Sequence, residues 1–326
     1  MKREPAAGRG LVRAALIAAD AAVAARGAYE ALRRYPPGGE QTWTRVNHRG
    51  EPVTLLEGPA VAAGAVAAVL LSSERKRVSA RTAMALAGAG AAGFGVYDDL
   101  AGSGKRRGLR GHLGALAQGE VTTGSVKLGG IGATGLASAM LLGGGRSDPH
   151  GGPAPHTPWD VVVNAGLVAG GANLLNLFDL RPGRAIKVAT LSAALISAGG
   201  GRDGAAAVAA PLGAALAMAP DDLGERAMLG DAGANALGAM LGCAAAASLS
   251  RPARIALLAG IVALTAASEK VSFTKVIERT PALRWLDMLG RRPAVVVPAQ
   301  RRDPEPMGVG TGRSGDDSGT GTRQES

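Results

Sequence analysis

The sequence predicts an all-α, polytopic integral membrane protein with about nine transmembrane helices. Charged residues are clustered, so several windows of about membrane-spanning length carry little or no charge. The apolar content of 47% is mostly Ala, Gly, Leu and Val, with 50 Gly and only three each of Phe, Trp and Tyr, a composition that suits close packing of helices in lipid. Most windows also lack the regularly spaced polar residues that a soluble, Ala-rich bundle needs.

The predicted helices follow from these windows in chain order. The first is interrupted by Arg13, Asp20 and Arg26, and the sixth has Lys187 near its start. The others carry no charged side chain over most of their length. The nine windows are 11–29, 58–73, 82–97, 128–145, 161–178, 186–200, 205–220, 232–250 and 255–268.

The composition also excludes several classes of protein. One Cys, Cys243, excludes a disulfide scaffold and a Cys-based zinc finger. The net charge of +10 is spread through the segments between the windows, where attraction to anionic lipid is its simplest cause. No basic stripe is interleaved with aromatic residues, so nucleic acid is not expected as a partner.

The distribution of Lys and Arg predicts which segments share the cytoplasmic side. With nine spans, segments 34–54, 98–127, 179–185, 221–229 and 269–292 lie on one side and hold most of the basic residues, so the positive-inside rule places them in the cytoplasm. Basic residues near the N-terminus and at Arg75–Arg77 oppose this orientation. Residues 1–292 are expected to form the membrane domain, and 293–326 a disordered cytoplasmic tail.

Asp98 and Asp99 form the first polar cluster, at the end of the third predicted helix. Two adjacent carboxylates at a water–lipid boundary are costly unless a cation joins them. Mg²⁺ bound to one or two carboxylates and a substrate phosphate would satisfy them. Taken alone, the pair is better explained as an ordinary solvated helix end.

A second cluster lies at the end of the fifth predicted helix. Asn173, Asn176 and Asp179 are spaced at i, i+3 and i+6, which places them along one stripe of a helix that ends at the proposed cytoplasmic boundary. Polar residues within a span indicate either a functional site or interhelical hydrogen bonding.

Asp231 heads the next polar cluster, in the segment Gly230-Asp231-Ala232-Gly233. The flanking glycines allow close backbone approach, and an Asp near a helix N-terminus also suits the helix dipole. Each Asp-bearing segment therefore has a structural explanation of its own. Their occurrence on one predicted face indicates a common site.

These motifs together resemble the polyprenyl-phosphate N-acetylhexosamine-1-phosphate transferase superfamily. Members include phospho-N-acetylmuramoyl-pentapeptide transferase and the UDP-GlcNAc:undecaprenyl-phosphate GlcNAc-1-phosphate transferases. The resemblance covers about residues 43–290, and it rests on the order of the Asp-Asp pair, the NxxNxxD segment and the GDAG segment.

The resemblance implies transfer of a sugar-1-phosphate from a UDP-sugar to undecaprenyl phosphate, with release of UMP and with Mg²⁺ (or Mn²⁺) as cofactor. It implies catalytic roles for Asp98, Asp99 and Asp179 and metal ligation by Asp231 and Asp99. Polar and cationic residues around them are expected to bind substrate: Asn173, Asn176, Lys105, Arg110, His112, Lys127, Arg184 and Lys187. The expected partners are a polyprenyl phosphate, a UDP-sugar and the lipid bilayer of a bacterial plasma membrane, with a homodimer left open.

The sequence departs from the family pattern in four respects. Gly102 stands where the pentapeptide-transferase type usually has Lys, and Leu180-Arg181-Pro182-Gly183-Arg184 replaces Gly-Leu-Asp-Gly-Leu. The last cytoplasmic segment, 269–292, contains no His and is predicted to form amphipathic helices at the membrane surface. A tenth span is missing. The sequence thus predicts a divergent branch, with a non-catalytic lipid-binding or regulatory protein, or less directly a transporter, as alternatives.

Overall fold

The computed structural model of the protein describes residues 6–72, 78–102, 108–143 and 157–293. These residues are mostly helical, with twelve helices and one two-stranded antiparallel sheet. In chain order the elements are α1 Ala6–Arg34, α2 Glu40–Trp43, β1 Thr44–Val46, β2 Pro52–Thr54, α3 Glu57–Leu71, α4 Val78–Ala101, α5 Gly108–Ala117, α6 Thr123–Gly143, α7 Pro158–Phe178, α8 Arg184–Leu223, α9 Gly230–Ser248, α10 Arg251–Ser268, α11 Phe273–Arg279 and α12 Pro281–Met288.

The prediction of a mostly helical fold is confirmed, and each predicted window lies on a helix to within two residues of its ends where the structure describes it. Within the described ranges, four helices are long and apolar enough to cross a membrane: α6, α7, α8 and α10. Many large apolar side chains lie on the outer surface, including Leu16, Val23, Leu195 and Val262. Such exposure is typical of a surface that contacts lipid. The count of nine spans stays a prediction.

Helix α8 is the clearest difference from the predicted windows. Two windows, 186–200 and 205–220, are joined in one 40-residue helical element whose regularity is broken at Gly201, with φ of 57° and ψ of −136°. Gly204 packs against the backbone of Ile196 and Ser197, and Leu223 packs against Gly183 at the opposite end of the element. The chain therefore reverses at Gly201, and the two ends of α8 lie together.

Helix α9 forms the centre of the bundle. Nearly all of its side chains are buried, and it packs against α3, α4, α7 and α8. Glycines provide the close approach: a Cβ on Gly238 would lie 2.2 Å from the carbonyl oxygen of Gly171, and one on Gly242 would lie 2.1 Å from that of Leu167. The Gly- and Ala-rich composition is thus used for backbone contact between α7 and α9.

Helices α7 and α10 are joined at their N-terminal ends by buried polar contacts. Thr157 caps α7 and forms a reciprocal capping box with Asp160, whose Oδ1 lies 3.3 Å from both Arg251 Nε and Arg254 Nη2. Arg254 also donates to Asn164 Oδ1 at 2.7 Å. These residues are far along α7 from Asn173 and Asp179, so this ion-pair cluster holds two helices together at the other end.

The segment 34–54, predicted as a loop, contains a small β-hairpin. Strands β1 and β2 pair with Thr44 opposite Thr54 and Val46 opposite Pro52. Arg49 on the hairpin turn pairs with Glu225 at 2.9 Å and donates to the carbonyl oxygen of Arg292 at 3.0 Å. The hairpin is therefore tied to the segment after α8 and to the end of the described chain.

The predicted amphipathic segment forms α11 and α12, which pack beside the start of α8. Phe273 stacks on Phe178 with ring centroids 5.0 Å apart. Residues to Arg292 belong to one compact unit. The predicted tail, 293–326, lies outside the described residues except for Pro293.

Candidate functional site

Lys127 joins two of the predicted acidic residues. Its Nζ lies 2.7 Å from Asp98 Oδ2 and 2.5 Å from Asp231 Oδ2. Lys127 is on the first turns of α6, Asp98 near the end of α4, and Asp231 at the start of α9. All three side chains are mostly buried, with exposed fractions of 14, 17 and 25%. Three separate helices thus deliver two carboxylates and one ammonium to one point.

Asp99 holds the backbone at the start of α9. Its Oδ1 accepts the N–H of Asp231 at 3.0 Å, and its Oδ2 accepts the N–H of Ala232 at 3.0 Å. Unpaired N–H groups at a helix N-terminus are a natural site for a carboxylate. Arg45 on β1 donates in turn to the Asp99 carbonyl oxygen at 2.5 Å. Asp99 therefore fixes α9, and with it the side chain of Asp231.

Two glycines make this arrangement possible. Gly230 has a φ of 58°, in the left-handed region that glycine adopts without strain. A Cβ on Gly95 of α4 would lie 2.4 Å from the carbonyl oxygen of Asp231, so any larger residue there would push α4 and α9 apart. Gly230 stands out in the sequence because it precedes Asp231, whereas nothing in the sequence marks Gly95.

Asp179 lies beside this cluster, immediately after α7. It accepts a hydrogen bond from the backbone N–H of Gly230. Burial holds the pKa of Asp179 well above its ordinary value, and the negative charges of Asp222, Asp231 and Asp99 act in the same direction. Its Oδ2 is buried and has no hydrogen-bond partner within the described ranges. Asp179 therefore lies close to the start of α9, the helix that also carries Asp231.

Two further buried carboxyl groups, Glu57 and Asp222, lie near Asp179. Glu57 begins α3, next to Gly58, whose backbone packs against Leu229 and Gly233 of the α9 start. Asp222 ends α8 and accepts the N–H of Gly183. Both oxygens of Glu57 and Oδ2 of Asp222 lack hydrogen-bond partners in the part of the chain that the structure describes. The site therefore contains more buried carboxyl groups than the sequence indicated.

Two predicted substrate-binding cations, Arg184 and Lys187, lie on the first turn of α8. Arg184 pairs with Asp287 of α12 through Nε at 2.7 Å and Nη2 at 3.2 Å. Lys187 Nζ donates to the Asp287 backbone carbonyl at 2.5 Å. Burial alone would raise the pKa of Asp287, but the hydrogen bond and charge of Arg184 outweigh it, so the pKa lies below its ordinary value.

The remaining predicted residues are placed as follows. Asn173 and Asn176 are partly buried on α7, on the helix that leads into Asp179. Lys105 lies outside the described residues. Arg110 and His112 belong to α5, a helix within the segment predicted as loop 98–127, and their side chains lie outside the described part of the structure.

Sequence reasoning missed Glu57, Asp222, Arg45 and Asp287. The signal for Glu57 and Asp222 was their position beside a charge-free window, the same signal that selected Asp98 and Asp231. Nothing comparable marks Arg45 or Asp287, because their roles depend on contacts with residues 54 and 103 positions away.

The donor chemistry of the site suits a hard cation, with one restriction. Among the described residues, no three His, Cys, Asp or Glu side chains are grouped so that they could hold a metal ion between them. Mg²⁺ commonly takes only one or two carboxylates and completes its shell with water and phosphate oxygens. Asp98 and Asp231 each direct one carboxylate oxygen at the same point, which the Lys127 ammonium occupies in this structure. Two carboxylates in this arrangement fit such a Mg²⁺ site.

Comparison with known proteins gives no match, either to a protein-family model or to a curated protein sequence.

Proposed function

We propose that the protein transfers a sugar-1-phosphate from a UDP-sugar to a polyprenyl phosphate, with Mg²⁺ as cofactor, at a site on the cytoplasmic face of a bacterial plasma membrane. The observation that carries the proposal is the meeting of Asp98, Lys127 and Asp231. These residues come from three helices that are apolar over most of their length. Bringing such charges together in an otherwise apolar bundle has a large desolvation cost. Charged residues in such a place therefore indicate a function that needs them, such as a reaction between polar substrates.

In the proposed reaction, an oxygen of the polyprenyl phosphate attacks the sugar-linked phosphorus of the UDP-sugar. A P–O bond forms to the acceptor, the P–O bond to UMP breaks, and UMP leaves with the electron pair. Both reactants are anionic, so the site must reduce their repulsion. Lys127 supplies positive charge at the point where α4, α6 and α9 meet, and Arg184 and Lys187 supply it at the start of α8.

The carboxyl groups have separate roles in this proposal. Asp98 and Asp231 orient Lys127 and would hold the metal, which contributes neutralisation of phosphate charge when bound. Asp99 uses both oxygens to fix the start of α9, which makes it a positioning residue. Asp179 has an unpartnered buried oxygen that can accept a proton from an acceptor phosphate arriving as its monoanion.

An apolar cavity supports the lipid part of the proposal. It measures about 160 Å³ and is lined mainly by aliphatic side chains of α7, α8, α9 and α10, among them Leu174, Leu175, Val188, Leu241 and Leu257. Leu175 is about one helical turn before Asp179, so the cavity begins close to the polar cluster. A hydrocarbon chain in this cavity would hold its phosphate at the boundary where the carboxylates lie.

One observation favours a second candidate, a non-catalytic protein that binds polyprenyl phosphate. The ammonium of Lys127 sits between Asp98 and Asp231, so the chain itself neutralises the carboxylates that would otherwise bind a metal. In this alternative the site binds the lipid phosphate through Lys127 and performs no transfer.

The test uses the purified full-length chain in detergent with Mg²⁺, undecaprenyl phosphate and a panel of radiolabelled UDP-sugars. Formation of lipid-linked radioactivity that is lost in Asp231→Asn supports the transferase. Retained binding of undecaprenyl phosphate without product from any donor contradicts the transferase and supports the binding protein.

A further inference from the structure

Three cationic side chains surround one aspartate, Asp287. Arg184 makes two hydrogen bonds to its carboxylate, and Arg291 Nη1 lies 2.8 Å from Asp287 Oδ2. The ammonium of Lys187 reaches the Asp287 backbone carbonyl at 2.5 Å. The side chains of Arg184, Arg291 and Asp287 are 4, 7 and 8% exposed. The cluster therefore holds two guanidinium groups and one carboxylate almost out of solvent, with the partly buried ammonium of Lys187 beside them.

The neighbouring carboxylates do not complete the pairing of these cations. Asp222 lies within electrostatic range of Lys187 and Arg291, but its hydrogen bond comes from the N–H of Gly183. Glu225 is paired with Arg49. Arg291 Nε is buried and has no hydrogen-bond acceptor within the described ranges. A buried guanidinium N–H without an acceptor is costly, so it indicates a place for an additional anionic oxygen.

Phosphate matches this set of donors better than a carboxylate does. A phosphate group carries up to two negative charges and three free oxygens, and Arg side chains bind it through two parallel N–H···O bonds. Lys187 adds a point charge, and the start of α8 adds the favourable end of the helix dipole. A second carboxylate would bring only one negative charge and two oxygens to these donors.

We propose that Arg184, Lys187 and Arg291 form a binding site for a phosphate-bearing anion, at which the carboxylate of Asp287 competes with the ligand. Binding moves Asp287 away from Arg184 and Arg291 and so shifts α12, which carries it. The ligand is a phosphomonoester or diphosphate, either free or part of a lipid headgroup. This inference rests on the proposed function, in which Arg184 and Lys187 face the substrate phosphates, but it is tested apart from transfer because binding requires no turnover.

The test measures binding of inorganic pyrophosphate to the full-length protein in detergent, by calorimetry at fixed ionic strength without divalent metal. We expect Asp287→Asn to bind about tenfold more tightly than the wild type, because the competing charge is removed. We expect Arg291→Gln to bind about tenfold more weakly. Arg279→Gln, a change at an exposed cation of α11, is the matched control and should leave the affinity unchanged.

Equal pyrophosphate affinity in the wild type, Asp287→Asn and Arg291→Gln, or binding by none of them, would overturn the proposal. If Asp287→Asn does not fold, Arg291→Lys decides alone, since it keeps the charge but lacks Nε. Unchanged affinity in that variant contradicts the site. Transferase activity is measured separately, so its absence does not affect this result.

The same measurement in lipid nanodiscs identifies the source of the phosphate. Pyrophosphate affinity that falls when phosphatidic acid replaces phosphatidylcholine supports the site with a lipid headgroup as ligand. Pyrophosphate affinity that is unaffected by phosphatidic acid supports the site with a soluble ligand.

Discussion

Lys127 and Asp231 are 104 positions apart in the sequence, yet Nζ of one lies 2.5 Å from Oδ2 of the other. Asp98 is on the opposite side of the same ammonium, at 2.7 Å. These contacts link α4, α6 and α9. Asp99 adds a second link between α4 and α9, because its carboxylate accepts the backbone N–H of Asp231. A single lysine therefore determines how the carboxylates of the candidate site are oriented.

Replacing Lys127 with Met should therefore abolish transfer and reduce stability. Asp98 and Asp231 would face each other without a cation, and breaking such a pair is expected to cost about 3 kcal/mol of unfolding free energy. Lipid-linked product formation should fall at least about a hundredfold, as when one preorganised electrostatic contact is removed. The measurements are product formation and thermal unfolding in detergent.

Lys127→Arg is the matched control, because it keeps the charge. It should recover most of the lost stability and only part of the activity. Full activity in Lys127→Met would contradict a role for this ammonium in transfer.

Asp231→Asn should remove activity with a smaller effect on the fold. The amide keeps the shape of the side chain but carries no charge to hold Lys127 or a metal. Product formation is expected to drop at least about a hundredfold. Glu40→Gln, at an exposed carboxylate that begins α2, should leave product formation unchanged. A loss of activity in both variants would show that the effect of Asp231→Asn is not specific to the site.

Glu57→Gln should stabilise the protein. Glu57 is fully buried, neither of its oxygens has a hydrogen-bond partner in the described chain, and Asp222 and Asp179 lie near it. Removing a buried, unpartnered carboxylate is expected to raise the unfolding free energy by about 1–3 kcal/mol at pH 8. The check is the midpoint of thermal unfolding. Glu278→Gln, at an exposed position of α11, should not change that midpoint, and a lower midpoint in Glu57→Gln would be evidence that this carboxyl group binds a partner.

The stability of the wild type should fall as the pH rises from about 4. The pKa of Asp179 is raised in the folded state, mainly by burial, so the folded chain holds a proton that the unfolded chain releases above about pH 3.9. Between the unfolded and folded pKa values, unfolding therefore releases a proton and becomes easier at higher pH.

Asp179→Asn removes this contribution, so its unfolding free energy should depend less on pH over the same range. The measurement is denaturant or thermal unfolding of both proteins at pH 5, 6, 7 and 8. Parallel pH profiles for the wild type and Asp179→Asn would mean that Asp179 titrates with an ordinary pKa in the fold.

Much of the architecture could be predicted from the sequence because charge is a strong local signal. Windows with little or no charge correspond to helices α1, α3, α4 and α6–α10, and the Asp-bearing ends of three of them lie close together. The reversal at Gly201 could not be predicted in this way, because a glycine in a Gly-Gly-Gly stretch gives no indication of its φ. The β-hairpin at 44–54 was missed for a related reason, since each strand has only three residues.

Some residues of the candidate site were predictable from the sequence, but their partners were not. Asp98, Asp179 and Asp231 stand out because they interrupt apolar sequence. The partner of each depends on packing between distant helices: Lys127 reaches Asp98 and Asp231, whereas Arg184, expected to bind substrate, is held by Asp287. Sequence spacing carries no information on contacts of this kind.

The central position of α9 also has a consequence for the order of events during synthesis. The first carboxylates, Asp98 and Asp99, and their cation, Lys127, leave the ribosome about a hundred residues before Asp231. Until α9 is made, α4 and α7 lack the helix that both pack against. The acidic site therefore assembles only after α9 has been synthesised. A nascent chain that stops before residue 229 contains Asp98, Asp99 and Lys127 but not the helix that brings them together.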